Sequence, residues 1–212
     1  MNKTLPKDLF EAEDRLQNSI QQFLLKETDT RLSFFLKFEG LRLLPIVHRF
    51  SSFLISMGHD VIILFADAGG SALAKNNYKE LSSNIYTFKE YLQKEQLNNQ
   101  RKIVLAVGPR PYDYEQYEQV CNTHSGKVIM LNGLLEDPIV GIGTVARKRR
   151  AEFIRNWSEV FFLEPLSNGA IIKEYPFDWN LFAKSQTGYR YIKSFTQRPT
   201  IDEISESLIN EL

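Results

Sequence analysis

The chain has 212 residues, of which 43% are hydrophobic and 25% charged, a balance typical of a soluble globular protein with a substantial core. Its 26 basic and 26 acidic side chains cancel, so no overall field draws it to nucleic acid, and nucleic acid is not an expected partner. One cysteine, Cys121, excludes an intramolecular disulfide, and the longest apolar run, residues 61–66, is too short to cross a bilayer.

The spacing of apolar residues predicts the first elements. Residues 7–26 have the period of an amphipathic helix, and the dense apolar run within residues 31–39 predicts a largely buried strand. Pro45 marks the first turn of a helix that Gly58 ends, and His48 is expected on its polar surface.

Alternating strands and helices follow. Four further segments have the composition of strands: residues 61–66, 85–88, 103–107 and 128–131. A helix through Val120 and Cys121 precedes the last of them, and Cys121 is expected to be half-buried there rather than a nucleophile. The alternation over residues 32–157 predicts an α/β fold, with a mainly parallel, three-layer Rossmann-like sheet and right-handed crossovers.

After Trp157 the pattern becomes antiparallel. Two β-hairpins are predicted: residues 160–175, turning at 167–169, and residues 179–195, turning at 186–188. Thr200 and Glu203 match the capping box of a last helix, residues 201–212. The prediction is one domain, residues 1–212, with an α/β core at 32–157 and an antiparallel C-terminal extension at 158–212.

A glycine-containing loop leads into the densest positive charge of the sequence. Gly141 and Gly143 permit positive φ angles, and Thr144 matches the N-cap of a helix that begins with the basic run 147–150. An anion at this helix start would meet free backbone N–H groups and the positive end of the helix dipole. A tight turn followed by a solvated basic helix is the alternative, and the commoner meaning of such patterns.

One arginine of this run has an unusual position. One face of the predicted helix carries Val145, Arg149, Phe153 and Trp157, spaced by four residues. The Arg149 guanidinium therefore lies in an apolar stripe, where it needs a carboxylate, a ligand or access to water. Glu136 and Asp137 are candidate partners.

Several loops follow strand ends and are expected at one edge of the sheet. In an open α/β sheet, the loops leaving the carboxyl ends of the strands line the ligand crevice. The candidate ligand- or partner-binding residues are therefore Asp67, Gly69, Gly70, Arg110, Asn132, Gly141, Gly143, Arg147, Arg149 and Arg150. Such convergence is also a property of the fold itself, and Asp67 is equally explained as a helix cap.

Known catalytic motifs are missing from the sequence. It contains no HExxH, CxxC or GxSxG, its three histidines are scattered, and no Walker lysine follows the glycines at 69–70. No catalytic or metal-binding residue is predicted, and any cofactor stays unknown. The GxGxxA match at residues 141–146 does not turn directly out of a strand, so chance explains it better.

Motifs along nearly the whole chain nevertheless resemble one family. They are FEGLRLLP at 38–45, FADAGGSALAK at 65–75, PRPYDY at 109–114, LNG at 131–133, LED at 135–137, VGIG at 140–143, VAR at 145–147, PL at 165–166, YP at 175–176, Trp179 and GYR at 188–190. In this order they resemble a domain of unknown function from cyanobacteria and plastids. That family includes the chloroplast LOW PSII ACCUMULATION factors, whose loss lowers photosystem II accumulation, and a domain fused to plant chloroplast adenylate kinase.

The resemblance implies a non-catalytic auxiliary factor in photosystem biogenesis, photosystem II above all, with photosystem or assembly proteins as partners. It also implies a soluble or peripherally thylakoid-associated protein of the cyanobacterial cytoplasm, or of the plastid stroma in a eukaryote. The N-terminus lacks a transit-peptide pattern, which favours the cyanobacterial expectation. The family offers no catalytic residues to transfer.

Two other functions are carried as alternatives. The first is a small-molecule enzyme or sensor that binds a phosphate- or carboxylate-bearing ligand at the strand ends. The second is contact with anionic thylakoid lipid through Lys148, Arg150 and Arg155.

Overall fold

A computed structural model of the chain describes residues 3–94, 102–135 and 144–209. The helices in these ranges are α1 (Leu9–Lys26), α2 (Leu43–Ser56), α3 (Ala68–Asn77), α4 (Phe88–Leu92), α5 (Tyr114–Thr123), α6 (Thr144–Arg155) and α7 (Ile201–Ile209). The strands are β1 (Arg31–Leu36), β2 (Asp60–Phe65), β3 (Ile85–Thr87), β4 (Lys102–Val107), β5 (Val128–Leu131), β6 (Ser158–Leu166), β7 (Gly169–Glu174), β8 (Trp179–Ser185) and β9 (Gly188–Phe195).

The strands form a nine-stranded mixed sheet in the order β3-β2-β4-β5-β1-β6-β7-β8-β9. The pairs among β3, β2, β4, β5 and β1 are parallel, and those from β6 to β9 are antiparallel. The predicted α/β class with an antiparallel C-terminal extension is confirmed. By its contacts the chain divides into an α/β unit, Asp29–Phe34 with Arg42–Ser158, and an antiparallel unit, Met1–Thr28 with Phe35–Leu41 and Glu159–Leu212. The single domain stays a prediction.

Strands β2, β4 and β5 of the α/β unit are buried on both faces, which explains their nearly continuous apolar sequences. Alternate strand positions, among them Leu64, Val104 and Met130, pack against α4 and α5 in one core cluster. On the α2 side, the Phe34 ring meets the Phe50 ring edge-on, with 5.2 Å between centroids. Helices therefore lie on both faces, as the predicted three-layer arrangement requires.

The chain leaves neighbouring strands of this unit in opposite directions. From β2 it passes through α3 to β3 at the sheet edge, whereas from β4 it passes through α5 to β5 on the other side. Because parallel crossovers are right-handed, these two connections lie on opposite faces of the sheet. The carboxyl ends of β2 and β4 thus flank the topological switch point, where open α/β sheets form a crevice.

The antiparallel unit consists of two hairpins covered by helices. Both hairpins and the Thr200–Glu203 capping box are confirmed. Strand β7 packs against α1, and the ring of Phe162 joins Trp179, Leu181 and Leu208 in a second core cluster.

Four expectations need correction. Strand β1 ends at Leu36 rather than at residue 39, and its burial alternates because only every second side chain faces the core. Helix α6 ends at Arg155, so Trp157 is not part of it, although its ring is buried. His48 is half-buried, stacked on Tyr78. Cys121 is fully buried because α5 turns it into the core.

Candidate functional site at the carboxyl edge

Three loops of the α/β unit meet at the carboxyl ends of its parallel strands. Phe65 pairs with Val107, and Val107 pairs with Leu131, so β2, β4 and β5 end at the same level. We call the segments that follow, residues 66–71, 108–113 and 132–135, the carboxyl edge. This register brings together the predicted residues Asp67, Gly69, Gly70, Arg110 and Asn132.

The first loop is a capped helix start. Asp67 is the N-cap of α3, and its Oδ1 accepts a hydrogen bond from the Gly70 N–H at 2.8 Å. A Cβ on Gly69 would lie 3.0 Å from that same oxygen. The glycines therefore let the backbone close tightly around the Asp67 carboxylate, which already occupies the positive end of the helix.

The second loop is held by backbone bonds of its own. Gly108 has a φ of +57° and donates to the Leu131 carbonyl at 2.8 Å. The backbone N–H of Arg110 donates to Asp113 Oδ2 at 2.8 Å. This bond fixes the short turn that leaves Tyr112 at its outer side.

The third loop is joined to its neighbours on both sides. Asn132 has a φ of +53°, a left-handed conformation that asparagine tolerates, and its N–H donates to the Phe34 carbonyl at 2.8 Å. Leu134 donates to the Pro109 carbonyl at 2.9 Å. A Cβ on Gly133 would lie 2.3 Å from Met130 Sδ and 3.1 Å from Pro109 Cγ, so a larger residue here requires the Met130 side chain to shift.

Three large apolar side chains at this end of the unit face solvent. The exposed fractions are 52% for Leu73 in α3, 83% for Tyr112 and 45% for Leu134. Sequence reasoning missed all three. Tyr112 gave a signal, since it is an aromatic residue beside Asp113 in a proline-containing loop, whereas Leu73 lies between two alanines and Leu134 beside Leu135, so neither stood out.

The basic helix α6 is held against α5. Arg149 Nε donates to Glu118 Oε1 at 3.1 Å, and its Nη2 contacts Glu118 Oε2. Tyr114 donates to the same carboxylate at 2.9 Å, and the Arg150 guanidinium lies 5.2 Å from the centre of the Tyr114 ring. Burial and the Glu118 carboxylate raise the pKa of Tyr114 to about 12.

These contacts correct the expectation for Arg149. The carboxylate that its position required is Glu118, which was not among the candidates; Glu136 and Asp137 lie outside the described residues. Its side chain is 66% exposed rather than enclosed in an apolar stripe, since the guanidinium reaches past the α5 surface to water. Gly141 and Gly143 also lie outside the described residues, and the Arg147 side chain is not described.

A second polar cluster was not anticipated, because His124 gave no signal in the sequence. Its ring is 2% exposed, with Nε2 donating to the Lys102 carbonyl at 3.0 Å and Nδ1 accepting from the Tyr91 hydroxyl at 2.8 Å. Burial lowers the pKa of His124 and raises that of Tyr91 to about 12. Beside them, burial raises the pKa of the Cys121 thiol to about 12, which makes it a poor nucleophile.

This cluster lies at the amino ends of the strands, away from the carboxyl edge. Arg31, the first residue of β1, donates to the carbonyls of Cys121, His124 and Gly126. A small polar pocket of about 200 Å³, lined in part by Asp60 and Lys102, opens at the same end. The pocket lies where parallel strands begin rather than at the switch point, where open α/β sheets bind ligands.

Two further site classes find no support in the described parts of the chain. In residues 3–94, 102–135 and 144–209, no three His, Cys, Asp or Glu side chains are grouped to hold a metal ion. No helix within those ranges combines the length and apolar character that a bilayer crossing needs.

Comparison with known proteins places the chain in a family. The family model described as Domain of unknown function (DUF1995) matches residues 6–206. No curated protein gives a significant match.

Proposed function

Because the chain belongs to the family described as Domain of unknown function (DUF1995), we propose that it is a non-catalytic auxiliary factor in photosystem biogenesis, photosystem II above all. It acts by binding a photosystem or assembly protein through the carboxyl edge. The photosynthetic context is supported by the motif resemblance alone. The binding surface is supported by the geometry of the edge.

The observation that carries this proposal is the contrast between polar and apolar groups at the edge. The polar groups bond within the loops: Asp67 to Gly70, Asp113 to Arg110, and Leu134 to Pro109. The large side chains of Leu73, Tyr112 and Leu134 are meanwhile exposed. Rigid loops that present apolar and aromatic groups are suited to a protein partner, because burying apolar surface is favourable and tyrosine is enriched among the residues that contribute most to protein binding.

The same loops are less suited to a phosphate. An anion at the α3 N-terminus would face the Asp67 carboxylate, which already accepts the Gly70 N–H. Two negative charges at the same helix end repel each other, so the anion would have to displace the Asp67 carboxylate from the Gly70 N–H. The protein-binding function is therefore preferred.

Photo-crosslinking in thylakoid extracts tests the proposal. A benzophenone amino acid placed at Tyr112 is expected to capture a photosystem or assembly protein. The matched control is the same group at Ile55, an exposed residue at the other end of the α/β unit, near the C-terminus of α2. Leu73→Ser with Leu134→Ser should reduce capture at position 112 without changing the melting temperature.

Two results would overturn this function. One is capture of the same proteins from Tyr112 and Ile55, which would mean non-specific contact. The other is failure of position 112 to capture any photosystem or assembly protein from extracts that contain them.

A second candidate function, an enzyme or sensor for a small anionic ligand, is favoured by one observation. Arg110 and the glycines at 69–70 flank the switch point between β2 and β4, where open α/β sheets bind ligands. Thermal unfolding with a panel of nucleotides, sugar phosphates and tetrapyrroles tests it. A ligand at a hundred times its dissociation constant adds about 2.7 kcal/mol of stability. The shift should disappear in Arg110→Ala and persist in Arg149→Ala, whose guanidinium is bound to Glu118.

A further inference from the structure

Strand β9 of the antiparallel unit is an edge strand. It stands at the end of the strand order and, among the described residues, pairs with β8 alone. An edge strand presents backbone N–H and C=O groups to which another chain can pair. Most of its residues are exposed or half-buried, Tyr189 among them at 45%.

The hairpin that ends in this edge has a one-sided charge. Residues 179–201 contain four cations, Lys184, Arg190, Lys193 and Arg198, and no aspartate or glutamate. The whole chain is neutral, so this is a local concentration of positive charge.

One of these cations is held by both an aromatic ring and a carboxylate. Arg198 lies over the Phe162 ring at 4.7 Å and donates to Glu159 at 2.9 Å. The side chains of Lys184, Arg190 and Lys193 are exposed on the hairpin. Hydrogen bonds from Thr200 in the capping box, helped by the positive charge of Lys193, lower the pKa of the Glu203 carboxylate.

Tyrosines accompany the cations on one face. Lys184 pairs across the hairpin with Tyr189, and Phe182 pairs with Tyr191, so these four side chains share a face of the sheet. The Lys3 ammonium lies 4.0 Å from the centre of the Tyr191 ring and adds a further cation there. The edge is therefore bordered by positive and aromatic groups.

This pattern selects among the chains that can pair with β9. A second copy of β9 would bring Arg190 and Lys193 close to the same cations, which disfavours pairing between identical strands. A strand that carries carboxylates would gain from both its backbone bonds and its charge. We infer that β9 is the docking site for an acidic extended peptide of a partner protein, which adds to the sheet as a further strand.

The irregularity in β9 limits where the peptide lies. The register shifts between Leu181 and Phe182, which leaves Ile192 as the extra residue of a β-bulge. A bulge interrupts regular pairing, so the peptide pairs with residues 188–191 of β9. Arg190 lies within this segment, and Lys193 lies just beyond its end.

Fluorescence anisotropy with the full chain tests this inference. The probe is a labelled peptide of alternating glutamate and valine. We expect saturable binding that weakens as salt is raised, and about tenfold or greater loss in Arg190→Glu/Lys193→Glu. The matched control, Lys26→Glu/Lys89→Glu, makes the same charge change on exposed residues of α1 and α4 and should bind normally.

A backbone-modified probe separates strand addition from simple charge attraction. N-methylation of alternate peptide bonds keeps every carboxylate and removes the donors that a paired strand needs. Loss of binding is expected. Undiminished binding of the methylated peptide, or equal loss in both charge-reversal variants, would overturn the inference. Binding of the protein to anionic lipid vesicles, together with no binding to the peptide, would also overturn the inference.

Discussion

The two ends of the parallel strands in the α/β unit hold different chemistry. At the amino end, Arg31, Tyr91 and His124 form a cluster whose hydrogen bonds join α5 to the starts of β1 and β4. At the carboxyl end, the loops bond to one another and expose Leu73 and Tyr112. Tyrosine, histidine and arginine are common catalytic residue types, yet here they hold the fold together. The surface that we propose for a partner lies at the opposite end.

The largest expected effect comes from Arg31, because its guanidinium donates to four carbonyls, three of them 90 or more residues away. Arg31→Ala leaves the carbonyls of Cys121, His124 and Gly126 without this donor, and hydrogen bonds to a charged group contribute about 1.5–3 kcal/mol. We expect the free energy of unfolding to fall by about 3 kcal/mol. Urea unfolding followed by circular dichroism measures it.

Arg31→Lys is the matched control for charge. A single ammonium cannot span carbonyls that a planar guanidinium reaches with two nitrogens, so it should recover only part of the stability. Full recovery by lysine would mean that charge alone, and not the geometry of the fork, stabilises the amino end.

Most strands and helices follow from local sequence, whereas this cluster does not. The run at 61–66 predicts β2 because both faces of a parallel strand are apolar, and Asp67 precedes Gly70 at the spacing of an N-cap. Arg31 bonds to carbonyls 90 or more residues away. No pattern in the local sequence reveals such a bond, because every residue has a backbone carbonyl and the sequence does not mark which ones accept.

The carboxyl edge was predictable in position but not in character. Alternation of strands and helices places Asp67, Arg110 and Asn132 at one end of the sheet. It does not reveal that Asp113 binds the Arg110 backbone or that Tyr112 points outward. The sequence also did not reveal the partner of Arg149 in the charge run at 147–150. That partner, Glu118, lies 31 residues earlier on another helix.

Gly133→Ala should show how tightly the carboxyl edge is packed. Its Cβ would lie 2.3 Å from Met130 Sδ, so Met130 and the Pro109 loop must move, and overpacking costs about 1–3 kcal/mol. Gly69→Ala is the matched control, because its Cβ meets only an Asp67 oxygen at 3.0 Å and alanine favours the helix. Thermal unfolding compares the two. Equal stability of both variants would mean that the third loop is not confined.

The amino end should also make stability depend on pH through His124. Burial holds its pKa below the ordinary value of 6.5, so below pH 6.5 the unfolded chain binds a proton that the folded chain does not. The stability that neutral His124 contributes is present above pH 6.5. It is lost as the pH falls towards the pKa of His124 in the folded state, by at most about 1.4 kcal/mol per pH unit.

His124→Gln isolates this dependence. Its amide can donate to the Lys102 carbonyl and accept from Tyr91, but it does not titrate. Urea unfolding at about pH 7.5 and about pH 5.5 should therefore show a smaller acid loss in the variant than in the wild type. The same loss in both proteins would assign the pH dependence to groups other than His124.

The smallest expected effect concerns the side of the α/β unit where α6 meets α5. Glu118 is 12% exposed and accepts from both Tyr114 and Arg149, whereas Arg149 is mostly in water. Glu118→Ala should therefore lower the free energy of unfolding by about 1 kcal/mol, because the hydroxyl of the buried Tyr114 loses its acceptor. Arg149→Ala should cost less, since Tyr114 keeps its bond and an exposed ion pair contributes little. Chemical unfolding of the two variants and their double mutant measures the coupling. If Arg149→Ala proved the more damaging change, the guanidinium would have a role beyond pairing with Glu118, and the charge run at 147–150 would return as a candidate binding site.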